Sequence, residues 1–180
     1  THNFDDDILS ASRNMAKRYR CNTSHGQKIE NYALQIFDAM KKFHGLGTRE
    51  RLLLQIASIL HDCGKFISLR DSSACAYNII MATEIIGLSH AEREIVAEVV
   101  RCNLDAFRYG EGSIRAGKLT AMLRLANAMD RSHHGRLDDG KLQVKGNKLI
   151  ISTSYAGNLA LETMAVEDKA DFFEEMFGIR

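Results

Sequence analysis

The chain is predicted to be mainly α, closing in a small α+β piece. Three observations predict this. Apolar residues recur at three- and four-residue spacing along most of the first 135 positions. Proline is absent throughout, so no helix interior carries its break. Beyond Gly135 the apolar period shortens to two. The implied division is a helical domain over 1–135 and an α+β extension over 136–180, packed on the first.

The elements follow in order. Asp5-Asp6-Asp7 precedes Ile8, Leu9, Ser12, Met15 and Tyr19, an amphipathic helix with acid at its N-terminus. It ends in the basic cluster Lys17, Arg18, Arg20. Thr23 or Ser24 is placed to cap a second helix, with Ile29, Tyr32, Ala33, Ile36, Phe37 and Met40 on its apolar face. His25 stands four residues before Ile29 and shares that face. Gly45 and Gly47 break the chain, and Thr48 is read as the next cap. Leu52, Leu53, Ile56, Ile59 and Leu60 then form a core stripe that runs into His61-Asp62. Gly64 offers a C-terminal turn, and Lys65 sets a cation beside the pair.

Helical spacing resumes over 74–86 and stops at Gly87. Ser89-His90-Ala91-Glu92 is a capping box for a helix using Ile95, Val96, Val99 and Val100. Residues 103–117 are polar and contain three glycines, a candidate mobile loop or lid. A helix over about 118–132 presents Leu119, Met122, Leu123 and Ala126, with Asp130 on the same face. Pairing of Asp130 with Arg124 or Arg131 is the plainer account of that carboxylate. Three alternating runs, Leu142/Val144, Leu149/Ile151 and Leu159/Leu161, read as a three-stranded antiparallel meander with a turn at Gly146-Asn147. A helix over 167–177 closes the chain.

With 180 residues the chain is long enough for a sizeable core. The formal net charge of +1 carries no signal for DNA, and no apolar run has membrane-spanning length. Cys21, Cys63, Cys75 and Cys102 are scattered without a C-x-x-C pair, which fits a reducing cytoplasm and neither a zinc ribbon nor a disulfide framework. No Walker-A, G-x-G-x-x-G or G-x-S-x-G pattern occurs. The chain opens at Thr1 rather than Met, which fits a piece of a longer protein.

His25, His61, Asp62 and Asp130 thus come from three helix ends onto inward faces. Imidazole and carboxylate are costly to bury alone, and one divalent ion (Mn, Fe, Zn or Mg) is a partner both suit. Such an ion acidifies bound water. The plainer account is a satisfied polar network in the core.

The order H…HD…D with its H-D-x-G-K continuation resembles the HD superfamily of metal-dependent phosphohydrolases, whose corresponding positions are metal ligands. The runs DDDILSASRNMAKRYRCNTSHGQKIENYALQIFDAM, RERLLLQIASILHDCGKFISLRDSSACAYNII, EIIGLSHAEREIVAEVV, LRLANAMDRS and LETMAVEDKADFFEEMFG are similar to the C-terminal region of the exopolyphosphatase/guanosine-pentaphosphate phosphatase family. That resemblance covers nearly the whole chain. It implies an HD-type helical domain following a two-lobed, actin-like N-terminal domain that carries the family's phosphatase site. It also implies a polyphosphate- or pppGpp-hydrolysing enzyme of the cytoplasm.

Two departures stand out. The stretch Asp71-Ser72-Ser73-Ala74-Cys75 lacks the family's histidine-rich run, and Asn103 occupies a further histidine position. Both argue against a second metal; His133-His134 could be offered as substitutes, with a polar loop as their plainer account.

Two functions are therefore expected. In the first, the domain is a single-metal phosphohydrolase. His25, His61, Asp62 and Asp130 hold the ion, Asp62 assists proton transfer, and Lys65 neutralises phosphate. Arg18, Arg70, Arg124 and Arg131 are candidates for the rest of a phosphate compound or polyphosphate. In the second, the domain is a non-catalytic module that binds polyphosphate, gates access or forms a homodimer.

Overall fold

A computed structural model describes residues 4–104, 114–131, 135–137 and 140–178. The described chain is mainly α, as its periodicity predicts: eight helices among the described residues, with one β-hairpin before the last. Most of the loop expected over 103–117, and the substitutes His133 and His134, lie outside the described residues.

Helix α1 (Phe4–Arg18) has Asp5, Asp6 and Asp7 in its first turn and Lys17 and Arg18 in its last, so both ends suit the helix dipole. Helix α2 (Thr23–Ala39) is capped by Asn22 rather than Thr23 or Ser24. The Asn22 side chain accepts the His25 N–H at 3.1 Å, which pins the first turn carrying that imidazole. A short α3 (Lys41–His44) ends at Gly45, whose φ of 63° is the left-handed turn glycine permits. Helix α4 (Thr48–Leu60) starts one residue beyond its cap, Gly47, whose N–H is held by Glu50 at 2.9 Å.

Helix α5 (Ser72–Ala82) stops before the expected Ile86, with Thr83 extended. Helix α6 (His90–Leu104) carries the predicted capping box: Glu92 N–H donates to Ser89 Oγ and Ser89 N–H to Glu92 Oε1. Helix α7 (Ile114–Met129) begins four residues earlier than its apolar stripe suggests and is buried along most of its length.

The hairpin is β1 (Lys141–Lys145) and β2 (Lys148–Ser152), antiparallel in the register Lys145↔Lys148. Gly146, at φ 61°, and Asn147 form the two-residue connection. The expected third strand is a correction. Leu159 caps and Leu161 lies within α8 (Ala160–Phe177), which begins seven residues before the helix expected there. Ala160-Leu161-Glu162-Thr163-Met164-Ala165 is dominated by strong helix formers, and the Asn158 side chain holds the Ala160 N–H at 2.8 Å. Two apolar residues at i and i+2 are too short a run to outweigh that.

Helix α4 packs against α1, α2, α6 and α7, so it is central, and its residues Leu52–Leu54 and Ile56–Leu60 are buried. Helix α8 packs on α7, and Phe173 and Phe177 join the same apolar core as α2 and α4. Burial in that core removes apolar surface from water at roughly 25 cal/mol per Å2, which is what aims the end of α4 inward. No helix among the described residues is long and apolar enough to cross a membrane.

Candidate functional site

The core stripe of α4 delivers His61 and Asp62 to the interior. His61 caps the helix in right-handed helical conformation, and the chain then turns sharply through residues 61–67. Gly64 makes that turn possible for a reason other than the one expected. It does not adopt a left-handed φ. A side chain there would meet the Ser72 carbonyl oxygen at 1.8 Å and the Ala76 nitrogen at 2.7 Å, so glycine is needed for the close approach of two backbones.

The four expected residues do converge, in two pairs. His25 Nδ1 lies 2.6 Å from Asp130 Oδ2, across 105 residues of sequence, and His25 Nε2 lies 3.1 Å from Asn127 Oδ1. Asp130 Oδ1 accepts the Gly135 N–H at 2.9 Å. His61 Nδ1 faces the Ser58 carbonyl oxygen at 2.7 Å. Its Nε2 is 3.3 Å from Asp62 Oδ2 without hydrogen-bond geometry, and that nitrogen has no hydrogen-bond partner among the described residues. The two imidazoles meet edge to face, 5.4 Å between ring centres. All four side chains are buried.

Lys65 stands where the sequence put it, its Nζ 2.9 Å from Asp62 Oδ1. Burial works to raise the Asp62 carboxyl, but His61 and the Lys65 ammonium outweigh it and hold the group well below the usual carboxylate range. The thiols nearby are inert for the same physical reason. Burial, with Cys21 and Asp62 adding to it, pushes Cys63 up to about 12; burial and Asp62 push Cys21 up to about 11.

The candidate cations divide. Arg18 and Arg70 are exposed, at the end of α1 and in the turn before α5, with no hydrogen bond or ion pair found among the described residues. Arg124 and Arg131 line a cavity of about 380 Å3 between α6, α7 and α8. Asn127 lines it too, so the cavity abuts the His25 pair.

Asn127 is the residue that sequence reading passed over. Its signal was available: it precedes Asp130 by three positions on one helical face. His44 was also passed over. It is a satisfied core histidine, Nε2 on the Phe37 carbonyl at 2.8 Å and Nδ1 accepting from Leu46 N–H at 2.9 Å, with burial lowering its pKa.

The donor set can be tested against a metal ion. In His61, a ring nitrogen engaged by a backbone carbonyl leaves the other nitrogen facing inward beside a carboxylate, which is how metal-binding histidines are oriented. His25 and Asp130, by contrast, are turned to each other. As the side chains stand, no group of three or more His, Cys, Asp or Glu among the described residues is arranged to hold an ion. The chemistry of the donors fits; two of the four are engaged in a pair of their own.

The fold and cluster thus define a mainly α domain with an H…HD…D core. The sequence matches the family model described as Ppx/GppA phosphatase, domain III, over residues 9–167, and the chain belongs to that family. It is 24% identical over 157 residues to the guanosine-5'-triphosphate,3'-diphosphate pyrophosphatase of Photobacterium profundum. That match covers 84% of this chain and 32% of the relative, so the chain spans about a third of that protein's length.

Proposed function

We propose that this chain is a phosphate-binding domain of a longer hydrolase, with a single divalent ion held at His61 and Asp62 and completed by His25 and Asp130. One observation carries the reading. His61 Nε2 is buried, has no hydrogen-bond partner among the described residues, and faces a carboxylate oxygen 3.3 Å away. Nδ1 is taken up by the Ser58 carbonyl at 2.7 Å, so Nε2 is left beside that carboxylate without a hydrogen bond of its own, and a cation between the two is a partner both suit. An ion bound there supplies a polarised phosphoryl oxygen and an acidified water. The chain's own residues do the rest. Lys65 neutralises phosphate charge, and Asp62, ionised beside that lysine, is placed to assist proton transfer. The substrate class is a phosphate compound such as polyphosphate, pppGpp or another nucleotide; an N-terminal actin-like domain and a cytoplasmic setting belong to the same reading.

A second reading has its own support. The closure of His25 on Asp130 and Asn127 favours a structural cluster in a non-catalytic module that binds polyphosphate, gates access or pairs with a second copy. Elemental analysis of untagged protein and of His61→Ala separates the two. The first reading expects about one ion per chain, lost in the variant. Metal content untouched by His61→Ala sinks the ligand assignment, and an ion-free protein after supply of Mn, Fe, Zn and Mg leaves the module reading. With the ion present, release of phosphate from polyphosphate or pppGpp, lost in Lys65→Ala, is the expected activity.

A further inference from the structure

The cavity between α6, α7 and α8 holds a feature that the metal cluster does not use. Asn103, on the last turn of α6, is 4% exposed, and neither its Nδ2 nor its Oδ1 has a hydrogen-bond partner among the described residues. A buried amide with both ends unsatisfied is uncommon in a folded protein. Asn103 lines this cavity, and so do Arg124, Arg131 and Lys169. Arg124 is held in place, its Nε donating to the Cys102 carbonyl at 2.8 Å and its guanidinium 4.7 Å from the Phe172 ring centre. The one carboxylate on the wall among the described residues, Asp168, is 75% exposed and pairs with Lys169 at 3.5 Å. The first turns of α8 make the apolar part of the wall. Leu161 and Met164 are 53% and 67% exposed on α8, and both belong to the cavity's lining.

A single anion would satisfy only the donor end of Asn103 and leave its oxygen buried against negative charge. A heterocycle with adjacent donor and acceptor satisfies both, as asparagine does on a base edge. The methionine and leucine offer it a flat apolar face, and the arginines and lysine receive phosphate. The volume falls within the roughly 300–1,000 Å3 of small-molecule sites.

We propose that this cavity binds a nucleoside diphosphate, with Asn103 on the base edge, Leu161 and Met164 against the ring, and Arg131 and Lys169 on the phosphates. Asn127, on the same wall, contacts His25, so an occupant touches a neighbour of the central cluster. The inference deepens the phosphate reading and rests on it for the ligand's charge, but it does not need the ion. His61 and Asp62 are not part of the lining, so the nucleotide is bound there without being placed for hydrolysis.

The test is calorimetric titration of the full chain with ADP, GDP, adenosine, guanosine and inorganic diphosphate, in EDTA and again with Mg. At least one nucleoside diphosphate should bind in EDTA about tenfold or more tightly than diphosphate. Asn103→Leu should erase that difference, with its fold checked by circular dichroism. Arg131→Ala, a change at an exposed residue, with its fold checked in the same way, should weaken nucleotide and diphosphate alike. Diphosphate binding as well as any nucleotide, or an advantage that survives Asn103→Leu, overturns the assignment. Binding that appears only with Mg places the ligand at the His61 cluster and overturns the cavity while sparing the phosphate reading. No binding of any phosphate in either buffer overturns both.

Discussion

The two halves of the buried cluster have the same composition, one imidazole and one carboxylate each, and opposite states. His25 and Asp130 are closed: each ring nitrogen and each carboxylate oxygen has a partner within 3.1 Å. His61 and Asp62 are open: neighbours in sequence, they face each other at 3.3 Å with a ring nitrogen unused. The difference comes from chain geometry. Adjacent residues at a helix end are constrained by one backbone and cannot both turn to their best angle. Residues from two helices approach freely and find a short, aligned contact. What is lost in hydrogen bonding at the open half is a ring nitrogen left unused beside a carboxylate, the feature on which the proposed ion rests.

That contrast can be broken most forcefully by His25→Ala. It removes a partner from Asp130, which is 0% exposed, and breaking a buried pair costs about 3 kcal/mol or more. Urea denaturation measures this; a loss under about 1 kcal/mol means the closed half is not structural.

Gly64→Ala comes next. The added methyl cannot fit against the Ser72 carbonyl, so the turn holding Asp62 and Lys65 must shift, at a cost of about 1–3 kcal/mol. The expected signature is destabilisation together with a weakened open half. Unchanged stability and unchanged metal content in Gly64→Ala would show that the two backbones are not in close contact.

The smallest effect is expected at a surface pair that sets the scale for the buried ones. Glu92 is bonded by Arg49, with burial opposing and Ser89 assisting, and its carboxyl is held down at about 2. A depressed folded value means the stabilisation is present above the ordinary value of 4.5 and is lost as pH falls through about 2. Arg49 is 39% exposed, so solvent screening limits the pair to about 1 kcal/mol. Glu92→Gln should lose that at pH 7 and flatten the decline between those two pH values in thermal melts; a parallel pH profile in both proteins would refute it.

Much of this was legible in the residues. The Ser89–Glu92 capping box, the Gly146-Asn147 turn and the inward faces of His25, His61 and Asp130 follow from local spacing. What failed had a common cause. Asn22 displaces Thr23 as a cap because three polar residues in a row each qualify. Leu159 and Leu161 suggest a strand, but two apolar residues at spacing two also suit a helix. In both places the local signal admits two answers and packing selects one.

The sequence by itself determined the helical elements, the apolar faces and the four polar residues that those faces carry inward, because periodicity and capping act within a few residues. Only the tertiary structure decided that His25 would close on Asp130, that Gly64 would be needed for contact with α5, and that Asn103 would be buried beside three cations. Those outcomes depend on distances between helices far apart in the chain, and no local spacing encodes them.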